Sequence, residues 1–147
     1  MELINKNKLK TIEIDWSYPL KIDSALISER CNKSWGIYYI SRKFGGKETL
    51  LYVGLTFHQN FIHRINQHRK NWINQFRGEK YVRFGEFVKP SNITKAIIED
   101  AESGIIHQIQ PTKNICKKRS YTYTEQYKIS NTGFRGIIPK EIPMSCH

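Results

Sequence analysis

Residues 35–55 read WGIYYISRKFGGKETLLYVGL. Trp35 to Lys43 is rich in aromatic and β-branched side chains, the composition of a pleated, half-buried strand. Phe44-Gly45-Gly46-Lys47 supplies a tight turn, and Thr49 to Leu55 forms the returning strand. Two such runs joined by a Gly-Gly turn predict a β-hairpin.

Outward from the hairpin, residues 59–76 (QNFIHRINQHRKNWINQF) have helical periodicity. Phe61, Ile65, Trp72 and Phe76 fall on one face, with Ile62 and Ile73 beside them, and Gly78 is the stop signal. Residues 80–88 (KYVRFGEFV) predict a third strand, broken by Pro90. Ser91 or Asn92 can cap a second helix over residues 93–109, which Pro111 ends. On the amino-terminal side, Ile12-Glu13-Ile14-Asp15-Trp16 alternates like a short strand that Pro19 terminates. Residues 115–147 are less periodic; Asn131 to Gly136 reads as a turn within a wrapping segment that holds a strand or short helix. The order β-β-α-β-α predicts an α+β domain in which the consecutive strands share one sheet covered by helices: a small central antiparallel sheet of three strands, flanked by helices.

The chain has 147 residues, the length of one compact domain. Lys and Arg number 24 against 13 Asp and Glu, a net charge of +11. Such a field favours a polyanionic partner, nucleic acid or an acidic membrane surface, with solubility alone as the competing explanation. The basic residues are spread along the chain, the only short run being Lys117, Lys118 and Arg119, so a folded positive surface is expected rather than a basic arm. A membrane-surface role is disfavoured because no basic amphipathic helix with a broad apolar face is evident. No apolar stretch has transmembrane length, and Met1 to Lys10 has no signal-peptide core. Cys31, Cys116 and Cys146 are odd in number and match no metal motif, so they read as reduced thiols. The expectation is a cytoplasmic protein with no membrane association.

Tyr38 and Tyr52 sit on the two hairpin strands with thirteen residues between them. Cross-strand pairing can bring the two phenols together, and Gly36 and Gly54 leave room for backbone or substrate to approach. Two hairpin tyrosines are also ordinary packing residues. Arg64 and His68, at i and i+4, lie at the flank of the apolar face of the first helix, where they can reach a cleft beside the core or simply be solvated. On the second helix, Ile97, Ile98, Ala101 and Ile105 define the buried face. Glu102 falls about 80° from its centre and Glu99 about 140°. Glu102 is therefore the carboxylate pushed toward the interior, where it must be paired in a salt bridge or bind a metal.

The ordered set Gly36-Ile37-Tyr38, Tyr52-Val53-Gly54, Arg64, His68, Glu102, Pro111 and Asn114 resembles the GIY-YIG nuclease family. Glu102-Ser103-Gly104-Ile105-Ile106 through Pro111-Thr112-Lys113-Asn114 is similar to that family's Glu-x-x-(Leu/Ile)-Ile…Pro-x-x-Asn segment. DNA-repair members often carry Lys directly after the second triplet; here the residue is Leu55, which points away from nucleotide excision repair. The resemblance spans residues 35–114, leaving residues 1–34 and 115–147 as amino- and carboxy-terminal extensions on a GIY-YIG endonuclease-like core.

The resemblance implies hydrolysis of phosphodiester bonds, with double-stranded DNA as substrate, in a restriction- or defence-type nuclease that can act as a homodimer. It implies one divalent cation per active site, Mg²⁺ or Mn²⁺, with Glu102 as its direct protein ligand. Arg64 would clamp the scissile phosphate, and Asn114 would brace the site by hydrogen bonds. Tyr38, Tyr52 and His68 remain rival candidates to position or deprotonate the attacking water. An unperturbed phenol has a pKa near 10, so a tyrosine base needs help from its neighbours, whereas His68 would titrate near neutrality. The alternative to an enzyme is a nucleic-acid-binding module without catalytic activity.

Overall fold

The hairpin forms as the sequence predicts. In the computed structural model, strands β3 (Trp35–Phe44) and β4 (Lys47–Phe57) are antiparallel and joined at Gly45 and Gly46, whose φ angles of 62° and 77° suit the two-residue turn that matches strand twist. Ile40 faces Tyr52 and Ser41 faces Leu50, so Leu51 is an extra residue, a bulge in β4. The residues described are 9–25, 35–57, 61–114, 118, 121–123 and 126–144. Cys31, Cys116, Cys146, Lys117 and Arg119 lie outside them, as do residues 59 and 60 of the first expected helix and the side chains of Phe61 and Ile62.

The remaining elements are β1 (Lys10–Trp16), β2 (Leu20–Lys21), α1 (Ile22–Ala25), α2 (Phe61–Asn71), a 3-10 turn (Ile73–Gln75), β5 (Glu79–Lys89), α3 (Lys95–Ile109), β6 (Tyr127–Gly133) and β7 (Glu141–Pro143). The first helix is shorter than its periodicity predicts, because Trp72 leaves helical geometry at φ −154°. Neither Ser91 nor Asn92 caps α3. Thr94 does, its hydroxyl accepting from the Ile97 N–H, and Gln110 closes the helix in the left-handed region just before Pro111. Among the described residues no helix is long and apolar enough to cross a membrane.

The three-stranded antiparallel sheet flanked by helices is not what forms. Among the described residues, strand accounts for 44% and helix for 26%. A mixed sheet runs in the order β4-β3-β5-β1-β6-β7, and β2 pairs with β5 off that path. The expected core is the β4-β3-β5 portion, and the segments expected as extensions continue it. β1 pairs antiparallel with β5 and parallel with β6, placing Trp16 beside Gly85 on one side and Gly133 on the other. The cause is the outer edge of β5, which would otherwise present unpaired backbone groups. Ile12, Ile14 and Trp16 alternate on the inner face of β1, and Tyr127, Ile129 and Asn131 do the same on β6. Gly85 admits this packing: a Cβ there would lie 2.6 Å from the Cγ2 atoms of Ile14 and Ile37.

Each face of the sheet carries a core. One, between the sheet and α3, gathers Trp16, Tyr39, Val53, Ala101, Ile105 and Ile129 among others. The opposite core joins Tyr38, Ile40, Leu51, Val82 and Phe84 to Ile65 of α2 and Ile73. On the α3 side, Arg83 pairs with Glu48 at 3.1 Å and donates to the Phe134 carbonyl at 2.7 Å, while the Tyr39 hydroxyl donates to the Arg135 carbonyl at 2.8 Å. These bonds hold the segment after β6 against the hairpin.

Asn131 is the polar hinge of the β1–β6 seam. Its Oδ1 accepts from Trp16 Nε1 and its Nδ2 donates to the Pro139 carbonyl, each at 2.9 Å. Asn131→Ala strands a buried indole N–H, which costs about 1–3 kcal/mol. Urea unfolding followed by tryptophan fluorescence is expected to show that loss. An unchanged midpoint would mean that the seam does not hold the sheet together.

Candidate active site

The site is built on the α2 side of the hairpin. Tyr38 of β3 pairs across to Gly54 of β4 and, on its other side, to Phe84 of β5. A Cβ on Gly54 would fall 2.5 Å from the Tyr38 hydroxyl and 2.7 Å from Tyr52 Cε1. The missing side chain therefore makes room for the neighbouring phenol. The Leu51 bulge keeps Leu51 and Tyr52 on the same core as Tyr38, and the two tyrosine ring centroids lie 6.1 Å apart. Tyr38 is fully buried, whereas Tyr52 is half-buried and reaches the surface.

α2 brings His68 and Arg64 onto this pair. The Tyr52 and His68 rings are 4.5 Å apart. Arg64 lies close enough to both phenols for each to act on its charge, and its Nε is shielded from solvent without a hydrogen-bond partner. Burial works against the Arg64 charge, but the two phenols outweigh it and its pKa is raised. Burial, followed by the influence of Tyr52, pushes the Tyr38 phenol well above its ordinary value; Arg64 opposes the shift and the Glu102 charge adds to it. Tyr38 therefore carries its proton at neutral pH. Glu102 is half-buried on α3, close enough for its charge to be felt at Tyr38, while Glu99 is exposed and paired with Lys95 at 3.9 Å.

His68 is fixed by two hydrogen bonds. Trp72 Nε1 donates to Nδ1 at 3.0 Å, and Nε2 lies 3.0 Å from the Tyr38 hydroxyl. An indole N–H can only donate, so Nδ1 is the acceptor and a neutral ring must carry its proton on Nε2. Burial, with the Arg64 charge second, lowers the His68 pKa from 6.5 to about 4, so the ring is neutral at pH 7. Nε2–H then donates to the Tyr38 oxygen. With Nδ1 occupied and Nε2 protonated, His68 has no lone pair to offer a water.

Asn114 does not touch the phenols. Its Oδ1 accepts from the Val53 N–H and its Nδ2 donates to the Val53 carbonyl, each at 2.9 Å. The preceding Lys113 N–H donates to the Leu51 carbonyl at 2.7 Å. Lys113 and Asn114 thus act as a short substitute strand along the edge of β4 and hold the backbone on either side of Tyr52. The Lys113 Nζ lies 5.8 Å from the Trp72 ring centroid, bringing a cation to the rim.

The structure therefore gathers Tyr38, Tyr52, Arg64 and His68 in contact, sets Glu102 within electrostatic reach, and places Asn114 behind the strand. Sequence reasoning did not single out Trp72 or Lys113. Trp72 carries a usable signal, its i+4 spacing from His68, beside its place on the apolar face. Among the described residues, no three His, Cys, Asp or Glu side chains cluster. A single carboxylate does not suit zinc, which takes several nitrogen or sulfur ligands, but does suit Mg²⁺ or Mn²⁺, which keep waters and share substrate oxygens. No family model, no curated protein and no solved structure matches the chain.

The His68 shift predicts a pH dependence of stability. Between about pH 6.5, the pKa of an unperturbed imidazole, and about pH 4, the unfolded chain binds a proton that the folded ring refuses. The stabilisation by neutral His68 is thus full above this window and lost as pH falls through it. Urea midpoints measured from pH 7.5 to 4 are expected to fall less steeply for His68→Gln than for wild type. Equal slopes would show that the ring titrates normally.

Proposed function

We propose that the protein is a divalent-metal-dependent endonuclease of the GIY-YIG type, hydrolysing phosphodiester bonds in DNA. The observation that carries this reading is the position of Arg64, facing both phenols while the Glu102 charge reaches Tyr38. A packing cluster has no need of a half-buried guanidinium and a half-buried carboxylate around two tyrosines. The net charge of +11 supports a polyanionic substrate.

Arg64 presents a planar donor fork, beside the two phenols, to the scissile phosphate. Tyr52 is the phenol that solvent can reach, so it orients the attacking water, and the Arg64 charge favours negative charge on its oxygen as the water's proton is drawn off. Tyr38 is buried and holds Arg64 and His68 in place. His68 acts as a hydrogen-bond donor to Tyr38 rather than as a base. Asn114 keeps the Tyr52 strand in register. Glu102 would hold the cation, which when bound offsets the extra negative charge of the phosphate and of the leaving 3′ oxygen.

Incubating plasmid DNA with the protein and Mg²⁺ is expected to give cleavage that EDTA stops. Glu102→Ala is expected to lower the rate on the order of 100-fold or more, from the loss of metal-based charge stabilisation. Glu99→Ala is expected to be mild. Full activity of Glu102→Ala, or cutting in excess EDTA, would sink this mechanism. A gel shift without cutting on any substrate would instead indicate a binding module.

A further inference from the structure

Trp72 stands where two roles can be told apart. Its ring packs against Tyr52 and Phe76, each at a centroid distance of 6.0 Å, and any aromatic side chain could do that. Its N–H does something packing does not require, ending on an imidazole nitrogen at 3.0 Å. The helix breaks at this residue, yet the backbone N–H of Trp72 still bonds the His68 carbonyl at 2.9 Å, so both connections run to the same partner. The groups around the imidazole are Tyr38 and Tyr52 from the hairpin, Arg64 and Trp72 from α2 and its end, and Lys113 across the indole. Of these, Trp72 is placed to choose which ring nitrogen carries the proton.

We propose that Trp72 is a positioning residue of the phosphodiesterase site, which by donating to His68 Nδ1 makes the imidazole a donor to Tyr38 and so decides where the Tyr38 proton points. The proposal rests on the nuclease reading for its catalytic consequence. With His68 Nε2–H directed at the Tyr38 oxygen, the phenol cannot give its own proton to His68. That proton must point to an acceptor other than the imidazole. Without the indole N–H, the imidazole can take its other tautomer, accept from Tyr38 at Nε2 and turn the phenol proton back toward α2. The site then contains every side chain of the original in the wrong hydrogen-bond order.

The test follows the His68 tautomer by long-range ¹H–¹⁵N correlation at pH 7, in wild type and in two variants. Trp72→Phe removes the N–H, and benzothienylalanine at position 72 removes it while keeping the bicyclic volume, which separates a lost bond from lost packing. Wild type is expected to show the Nε2–H form alone, and both variants a mixture or the Nδ1–H form. In the cleavage assay both variants are expected to lose on the order of 10-fold in kcat with KM unchanged, the scale of an outer hydrogen bond that orients an active group. Retention of the Nε2–H form in both variants overturns the proposal, as does a tautomer change with wild-type kcat. If wild type cuts no DNA but its tautomer switches on substitution, the indole lock stands and the nuclease reading is what fails.

Discussion

Tyr38 lies across Gly54, and the assembly on that side of the sheet depends on the crossing. Antiparallel pairing places Gly54 directly opposite Tyr38, and any side chain there would occupy the space of the phenol. With that space open, the Tyr38 oxygen sits where α2 can present both Arg64 and His68 to it. The Leu51 bulge does the complementary work, turning Tyr52 onto the same core. Each component is weak alone: a bulge, an absent methyl, one turn of helix. Together they convert a hairpin into a site with a fixed order of donors and acceptors.

That order also explains why the electrostatics of the cluster are one-sided. A cation held against two phenols lowers the proton affinity of a neighbouring imidazole, and burial acts in the same direction. Burial raises the proton affinity of Tyr38 more than Arg64 can lower it. At neutral pH the site therefore holds a charged Arg64 beside a neutral Tyr38 and a neutral His68, with the Glu102 charge felt at Tyr38 from α3.

The hairpin, both longer helices and β5 are legible in the sequence because their hydrophobic periods are local. The pairing of Tyr38 with Tyr52 across the hairpin, and of Arg64 with His68 on one helix face, is legible for the same reason; that the two pairs meet is implied only by the family resemblance. The sheet as a whole is not. β1 and β6 each alternate with period two, but β6 fills an inward position with Asn131, whose polarity masks the strand until its partners, the Trp16 indole and the Pro139 carbonyl, are in view. The parallel pairing of β1 with β6 leaves no mark in either segment alone. The contribution of Trp72 is hidden for a different reason: hydrophobicity describes its ring, whereas its consequence lies in one N–H.

The β1–β6 seam bears on the order in which the molecule assembles. Trp16 and Asn131 are bonded across 115 positions of chain, whereas β3, β4 and β5 are neighbours in sequence as well as in space. Contacts that close such long loops form slowly and late. On a ribosome, β1 can dock on β5 well before β6 has been made, so its outer edge stays open to other strands until Tyr127–Gly133 emerges. The hairpin that carries the tyrosines is sheltered from this delay, since everything it needs except α3 and the Lys113–Asn114 brace is synthesised by the end of β5. A mutation in the seam would thus lower the yield of folded protein before it altered the chemistry of any molecule that had folded.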